Sequence, residues 1–274
     1  MIAIIQFNPS DKPQENLAYV ADQILQLRKQ YQRGDLLICL PEGFACFDAE
    51  REQLIEFSKQ SGQFIEQICQ LAKQHSVWIN AGTIPIAQGN KYLAASLLID
   101  SSGQVVAQYN KIHLFDVTVD DSKYSYQESD TTIAGNKLVV VATPFGKLGI
   151  TVCYDMRFPG LFGKLRELGA EIVLVPSAFT VPTGKVHWLP LLQARAIENQ
   201  LFIIASATTG IHARGRETYG HSVIIDAWGT VVKQLGATAG TILYSPDIAS
   251  IETIRKRMPV TVHNQFSYEF KYEH

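Results

Sequence analysis

The sequence predicts an α/β protein in which a mixed β-sheet core is covered by helices. Short apolar runs rich in β-branched residues alternate with segments whose apolar residues recur at helical spacing. Other neighbouring apolar runs are separated only by turn-forming clusters, which indicates antiparallel hairpins. No internal repeat, low-complexity tract or linker interrupts the 274 residues, so we expect one domain spanning 1–274.

The first half of the chain is predicted to alternate strands and helices. The predicted strands are AIIQF, DLLICLPE and VWINAGTIP. The apolar helical positions between them are Leu17, Val20, Ile24 and Leu27 in the first helix, and Phe64, Ile65, Ile68 and Leu71 in the second. YLAASLLID and QVVAQYNKIH flank the cluster SSG, so they should form a hairpin that makes the sheet mixed. The polar stretch from Asp116 to Asn136 is expected to be a working loop.

The second half begins with a predicted hairpin, because KLVVVAT and KLGITVCYD flank the turn PFG. A short helix with apolar residues Leu161, Leu165 and Leu168 follows. The next predicted elements are the strand EIVLVPSAF, the helix WLPLLQARAIENQ, the strand LFIIASAT and the hairpin HSVIIDAWGTVV. The aromatic residues of the C-terminal tail, 260–274, are expected to pack on this chain or on a partner subunit. They are Phe266, Tyr268, Phe270 and Tyr272.

Composition and charge exclude several classes of function. A formal net charge of -2 provides no extended positive field, so we expect no nucleic-acid partner. The N-terminus lacks the basic region of a signal peptide and no apolar run reaches membrane-spanning length, which predicts a cytoplasmic protein with no membrane partner. The 4 cysteines form no CxxC pair and the histidines lack ligand spacing. We therefore predict free thiols, no metal and no cofactor.

Three polar residues stand at the ends of predicted strands: Glu42, Lys111 and Cys153. Taken singly, they would be interpreted as a solvated carboxylate, a surface charge and a packing thiol. Their joint occurrence favours a catalytic group. Cys153 lies between a strand and a helix predicted to begin at Pro159, an elbow that should favour the thiolate and bring the backbone N–H of Tyr154 near an oxyanion.

The stretches LPEGF, YNKIHLFD and GITVCYDMRFPG resemble the nitrilase superfamily, specifically its amidase branch, and the resemblance continues through PSAF, HWLPLLQARAIENQ and YGHSVIIDAWGTVV. It implies a four-layer αββα sandwich with two mixed β-sheets, assembled as a homodimer or higher homo-oligomer. It also implies that Cys153 is the nucleophile, Glu42 the general base and Lys111 the cation that stabilises the tetrahedral intermediate. Glu128 in YQESDTTIAG matches a second glutamate of many members, which either acts in catalysis or only positions Lys111.

The expected substrate is a small linear amide, hydrolysed through a thioester. CYDMRFP, PSAF, TGKVHW and YGHSVIIDAWGTVV resemble amidases of 2-oxo acid amides, which implies deaminated glutathione as substrate, or 2-oxoglutaramate for an ω-amidase. Arg157, Arg214 and Arg216 are candidates for binding a substrate carboxylate, and the last two are equally compatible with an exposed basic loop. N-carbamoyl hydrolysis and nitrilase activity are also compatible with the motifs, as is, in a different class, a catalytically silent binding protein.

Overall fold

The helices and strands come from a computed structural model, which covers residues 1–119 and 125–269. The helices are α1 (Pro13–Gln30), α2 (Arg51–His75), α3 (Pro159–Glu167), α4 (Val181–Asn199), α5 (Ala249–Arg257) and α6 (Val260–His263). The first strands are β1 (Ile2–Gln6), β2 (Leu37–Cys39), β3 (Trp78–Asn80), β4 (Ile84–Gln88), β5 (Lys91–Ile99), β6 (Val105–Asn110), β7 (Asp116–Thr118), β8 (Ser125–Gln127) and β9 (Val140–Thr143). The remaining strands are β10 (Gly146–Ile150), β11 (Ile172–Leu174), β12 (Phe202–Ala205), β13 (Thr209–Ile211), β14 (Glu217–Tyr219), β15 (Val223–Ile225), β16 (Val231–Gln234) and β17 (Gly240–Tyr244).

The first large sheet has the strand order β17-β1-β2-β3-β5-β4, with β6 also paired to β5. β1, β2 and β3 are parallel, whereas β17, β4, β5 and β6 join through antiparallel pairs. Successive side chains of a strand point to opposite faces of its sheet. Ile2 and Ile4 therefore pack in the core shared with the second sheet, while Ala3 and Ile5 pack in the cluster that contains the apolar faces of α1 and α2.

The second large sheet has the order β16-β15-β12-β11-β10-β9, again with parallel and antiparallel pairs. Its outer helix layer is α3 and α4, and α4 buries Trp188 and Leu192 in the common core. The protein is thus an αββα sandwich with two mixed sheets, as the resemblance implied.

Three predicted hairpins are confirmed: β5 with β6, β9 with β10, and β15 with β16 are all antiparallel. The prediction of one strand over VWINAGTIP is wrong, because β5 lies between β3 and β4 in the sheet. The backbone turns at Gly82, where φ is 34° and a side-chain Cβ would lie 1.9 Å from the Pro41 carbonyl oxygen. The helix predicted from Trp188 begins earlier, at Val181, and contains Pro190.

The predicted working loop, 116–136, contains a small two-stranded sheet of β7 and β8, followed by a 3₁₀ turn at Glu128–Asp130. In the C-terminal tail, the ring of Tyr268 lies against α3 at Gly160 and Gly163. Phe270 and Tyr272 lie outside the described residues. Within 1–119 and 125–269, no helix is both long and apolar enough to cross a membrane.

Candidate active site

Strand ends from both sheets meet at one cavity of about 400 Å³. Glu42 follows β2 and Lys111 follows β6 in the first sheet, whereas Cys153 follows β10 in the second. All the residues singled out from the sequence line this cavity. They are Glu42, Lys111, Glu128, Cys153, Tyr154, Arg157, Arg214 and Arg216.

The Lys111 ammonium is held between two carboxylates. Its Nζ donates to Glu42 Oε1 at 2.8 Å and to the two carboxylate oxygens of Glu128 at 2.8 and 3.1 Å. The other oxygen of Glu42 accepts the backbone N–H of Ala178 at 2.8 Å, and Glu128 accepts that of Phe115 at 2.7 Å. The side chain of Lys111 is only 2% exposed, so these contacts fix its charged end.

The pKa values in this cluster move in different directions. Burial raises the pKa of Glu42, but the charge of Lys111 and hydrogen bonds from Lys111 and Cys153 outweigh it, so the net pKa is lowered. Burial raises the pKa of Glu128 and the charge of Lys111 opposes it, while the nearby Glu42 carboxylate contributes to a net increase. Burial lowers the pKa of Lys111, but the two carboxylates raise it well above its ordinary value. Of the two glutamates, Glu42 therefore has the lower pKa.

Cys153 occupies a tight turn rather than the end of an α-helix. Its φ is 47°, it begins the 3₁₀ turn Cys153–Arg157, and its N–H donates to the Pro176 carbonyl at 2.9 Å. α3 begins at Pro159 as predicted. The prediction that this elbow favours the thiolate is wrong for the resting protein. Burial and the neighbouring carboxylate of Glu42 raise the pKa of Cys153, and the opposing effect of Lys111 is smaller.

A second polar group, the carboxylate of Asp155, stabilises the turn that begins at Cys153. The Asp155 carboxylate is fully buried and accepts four hydrogen bonds. The donors are the Tyr109 hydroxyl at 2.7 Å, the Val152 N–H at 2.9 Å, the His113 N–H at 3.1 Å and the His113 ring at 2.7 Å. Asp155 and His113 lie inside two of the sequence motifs, but nothing in the motifs indicated that these side chains are bonded to each other.

The three arginines differ in how they are held. Arg216 lies between the rings of Phe47 and Tyr126, with its guanidinium carbon 4.7 and 5.0 Å from their centroids. Its Nη2 donates to the Ala178 carbonyl at 3.2 Å, and its charge lowers the pKa of Glu42. The buried Nε has no hydrogen-bond acceptor among the described residues. Arg216 is therefore a rigid cation close to Glu42.

Arg157 and Arg214 are engaged at the rim of the cavity. Both terminal nitrogens of Arg157 approach His187 Nδ1, at 3.3 and 3.4 Å. Arg214 pairs with Glu50 at 2.9 Å, and its side chain is 45% exposed. The sequence did not reveal the aromatic lining that includes Phe47 and Phe179. In 1–119 and 125–269, no group of three or more His, Cys, Asp or Glu side chains is arranged to hold a metal ion.

The amino-acid sequence of the chain is similar to those of known proteins. Residues 1–256 match the model of the carbon-nitrogen hydrolase family. A deaminated glutathione amidase of Yersinia enterocolitica is 40% identical to the chain, over 97% of the chain and 93% of the relative.

Solved structures give the same result. The NitFhit protein of C. elegans matches with a TM-score of 0.89 and 33% identity over 96% of the chain, which spans only 64% of that protein. Saccharomyces cerevisiae Nit3, a member of branch 10 of the nitrilase superfamily, matches with a TM-score of 0.84 and 28% identity, over 97% of this chain and 96% of that one. The fold and these matches define a hydrolase that acts on carbon–nitrogen bonds. The chain belongs to the carbon-nitrogen hydrolase family of the nitrilase superfamily.

Proposed function

We propose that this protein is a cysteine-dependent amidase in which Cys153 is the nucleophile, Glu42 the general base and Lys111 the cation that stabilises the tetrahedral intermediate. The observation that carries the proposal is that one carboxylate, Glu42, contacts both the Lys111 ammonium, at 2.8 Å, and the Cys153 thiol. Such a base accepts the thiol proton while the lysine keeps it ionised and oriented.

In the first half-reaction, Glu42 takes the proton as the sulfur of Cys153 attacks the amide carbon. The negative charge that develops on the substrate oxygen is stabilised by the Lys111 ammonium and the backbone N–H of Tyr154. Collapse of the intermediate breaks the carbon–nitrogen bond, and Glu42 returns the proton to the leaving amine. The product of this step is a thioester on Cys153.

In the second half-reaction, Glu42 removes a proton from water, which attacks the thioester carbon. Collapse breaks the carbon–sulfur bond and releases a carboxylic acid, and Glu42 returns its proton to the sulfur, which restores the thiol. Because burial and Glu42 raise the pKa of Cys153, its resting group is a thiol, and the sulfur becomes a nucleophile only as Glu42 takes its proton. Glu128 positions Lys111, since it binds the ammonium through both carboxylate oxygens.

The substrate is a small 2-oxo acid amide, with deaminated glutathione as the first choice and 2-oxoglutaramate, the substrate of an ω-amidase, as the second. Support comes from the cationic lining of the cavity by Arg157, Arg214 and Arg216, which suits a substrate carboxylate, and from the name of the Yersinia enterocolitica relative. Of the three, Arg216 is the principal anchor, because its guanidinium is already fixed between two rings. Hydrolysis of deaminated glutathione would release 2-oxoglutarate and cysteinylglycine.

We further propose that the chain forms a single carbon–nitrogen hydrolase domain over 1–274 and works in the cytoplasm without metal or cofactor, as a homodimer or higher homo-oligomer. Exposed apolar residues on α4 support the assembly, because Val186 and Ile197 are 65% and 52% exposed. The 260–274 tail is the remaining candidate for a contact with a partner subunit.

The test compares purified protein with its Cys153→Ala variant on deaminated glutathione and on 2-oxoglutaramate, with release of 2-oxoglutarate as the measurement. We expect a higher kcat/KM for deaminated glutathione and no turnover by the variant. A higher value for 2-oxoglutaramate would move the protein to the ω-amidases. If neither is hydrolysed, N-carbamoyl compounds and nitriles are tested next. If none of these compounds is hydrolysed and Glu42→Gln leaves the pH dependence of Cys153 alkylation by a thiol probe unchanged, the protein is a binding protein.

A further inference from the structure

We propose that Asp155 is a positioning residue that fixes the Lys111 strand end against the Cys153 turn. This inference rests on the proposed function, since it assigns a role within the same reaction. Asp155 does not line the cavity, and its side chain is fully buried. It therefore acts through the backbone segments that it holds rather than by touching substrate.

Asp155 accepts hydrogen bonds from both segments. Its Oδ2 accepts the N–H of Val152, the residue before Cys153, at 2.9 Å. Its Oδ1 accepts the N–H of His113, two residues beyond Lys111, at 3.1 Å, and the ring nitrogen of the same histidine at 2.7 Å. These segments come from different sheets, so the carboxylate bridges the sandwich directly behind the reacting groups.

Further contacts hold this bridge rigid. The hydroxyl of Tyr109, a fully buried residue of β6, donates to Oδ2 at 2.7 Å. The ring of His113 stacks on Phe158, with centroids 3.6 Å apart and planes 7° from parallel. Phe158 directly precedes α3, so the stack extends the connection from the Lys111 segment to the far end of the Cys153 turn.

An aspartate side chain can accept from both backbone N–H groups at once, which an amide of the same shape cannot do. A carboxylate is an acceptor on both oxygens, whereas the isosteric amide has one acceptor oxygen and two N–H donors. In Asp155→Asn, one orientation leaves the Val152 N–H facing an NH₂ group, and the other does the same to the His113 N–H. Either way, a buried backbone donor loses its acceptor, and the segment that carries Cys153 or Lys111 must shift.

The experiment measures kcat and KM separately for Asp155→Asn with the preferred amide. We expect kcat to fall by about 100-fold, because a displacement of about 1 Å between reacting groups has an effect of that size. KM should change by less than about threefold, because the cavity lining keeps its substrate contacts. The pH dependence of Cys153 alkylation by iodoacetamide, which needs no amide substrate, should also shift to lower pH, because the Glu42 carboxylate that raises the thiol pKa loses its alignment with the sulfur.

The matched control is Thr151→Val. It removes another buried hydrogen bond on the same segment, from Thr151 Oγ1 to the Leu174 carbonyl at 2.9 Å, but touches none of the reacting groups. It should lower the melting temperature and leave kcat and the alkylation profile near wild type. An Asp155→Asn protein that is folded and matches this control in both measurements would overturn the proposal.

Tyr109→Phe covers the case in which Asp155→Asn fails to fold. It removes one donor to Asp155 and keeps the ring, so we expect a folded protein with kcat about tenfold lower and a smaller shift of the alkylation profile to lower pH. A wild-type kcat and alkylation profile in folded Tyr109→Phe would overturn the proposal in that case. If the wild-type protein hydrolyses no amide, the alkylation profiles alone decide on Asp155, independently of the proposed function.

Discussion

A buried ammonium requires an arrangement of charges that few residues can supply. The side chain of Lys111 is 2% exposed, and removing an ion from water costs several kcal/mol unless hydrogen-bonded partners offset it. The carboxylates of Glu42 and Glu128 are these partners here, and their pKa values are shifted in opposite directions. The pKa of Glu42 falls because Lys111 and its other donors outweigh burial, and that of Glu128 rises because burial and Glu42 outweigh Lys111. The two glutamates are therefore not interchangeable.

The first prediction concerns the cation itself. Lys111→Met keeps the length of the side chain and removes its charge, so it should lower kcat by about 100- to 1000-fold, the usual effect of losing one donor to an oxyanion. Circular dichroism should show a folded protein. Without the ammonium, Glu128 can take up a proton and become neutral, because burial already raises its pKa. Lys147→Ala is the control, since it removes an exposed ammonium from β10. Near-normal turnover in folded Lys111→Met would reject the assigned role.

The second prediction uses the sign of the Cys153 pKa shift. Burial and then Glu42 raise the pKa of this thiol above its ordinary value of 9.0. Glu42→Gln removes the second cause and leaves Lys111 in place, so the pKa of Cys153 should fall relative to wild type. Alkylation rates measured against pH should therefore show thiolate formation at a lower pH in Glu42→Gln, while amide hydrolysis is lost. A shift to higher pH would contradict this arrangement of charges around the thiol.

Glu42 and Cys153 also define the pH dependence of amide hydrolysis. Because the pKa of Glu42 is lowered from 4.5, the acidic limb of kcat/KM should lie below that value, where Glu42 takes up a proton and stops acting as a base. The rate should then stay level through neutral pH, since the thiol pKa lies far above it.

The third prediction separates the arginines. Arg216→Gln should raise KM for a carboxylate-bearing amide by about 10- to 100-fold, the effect of one hydrogen bond to a charged group. Arg157→Gln and Arg214→Gln should have smaller effects, because their guanidinium groups already contact His187 and Glu50. An amide of similar size without a carboxylate serves as the control substrate, and its KM should respond little to any of the three changes. Equal effects on both substrates would reject carboxylate recognition by Arg216.

At the scale of elements, the strand ends were the most predictable part of the molecule. Apolar runs, turn clusters and the residues that follow them revealed the hairpins and the positions of Glu42, Lys111 and Cys153. The split of VWINAGTIP into β3 and β4 was not predictable, because it depends on the close approach of Gly82 to Pro41, which are distant in sequence. The hydrogen bonds of Asp155 could not be predicted from the sequence for the same reason, since its donors come from separate elements.

The fourth prediction tests how tightly the end of β6 is held. Gly135 donates its N–H to the Lys111 carbonyl at 2.8 Å, and a Cβ at this position would lie 2.1 Å from the Asn110 carbonyl oxygen. Gly135→Ala should therefore displace the end of β6, lower the unfolding free energy by about 1–3 kcal/mol and reduce kcat. Denaturant unfolding and steady-state kinetics measure both effects.

Gly62→Ala provides the matched control for Gly135→Ala. Gly62 lies inside α2, and nothing stands within 4 Å of an added Cβ. This change should raise the unfolding free energy by about 0.5–1 kcal/mol, because alanine favours the helix, and it should leave kcat unchanged. If Gly135→Ala behaved in the same way, the close contact at the end of β6 would have no functional consequence.

At the scale of the whole molecule, the site exists only when the two sheets are packed together. Glu42 follows a strand of the first sheet, yet one of its oxygens accepts the N–H of Ala178, which follows β11 of the second. Ser206, after β12, likewise donates to the Leu40 carbonyl at 2.9 Å. The sequence could supply the residue types of the site, but their mutual distances result from the packing of the sandwich.

The fifth prediction concerns the outer surface of α4. Val186, Pro190, Gln193 and Ile197 recur at helical spacing, and Val186 and Ile197 are 65% and 52% exposed. Ile197 also lies against Gly229, next to Trp228, which is 55% exposed, so the apolar surface continues beyond the helix. This surface is the candidate for the proposed interface between subunits. Ile197→Glu would place an unpaired charge there and should convert the proposed homo-oligomer into monomers.

Sedimentation velocity over a range of protein concentrations measures this change. The control is Leu25→Glu on α1, where a partly exposed apolar side chain also becomes charged, and it should sediment like wild type. A wild-type protein that is monomeric at every concentration would contradict the proposed homo-oligomer. If wild type and Ile197→Glu form the same oligomer, the assembly does not use α4, and removal of the 260–274 tail becomes the next test.

Because the active-site contacts are made within one chain, an Ile197→Glu monomer should retain kcat, and a loss of activity on dissociation would mean that the partner subunit stabilises the site.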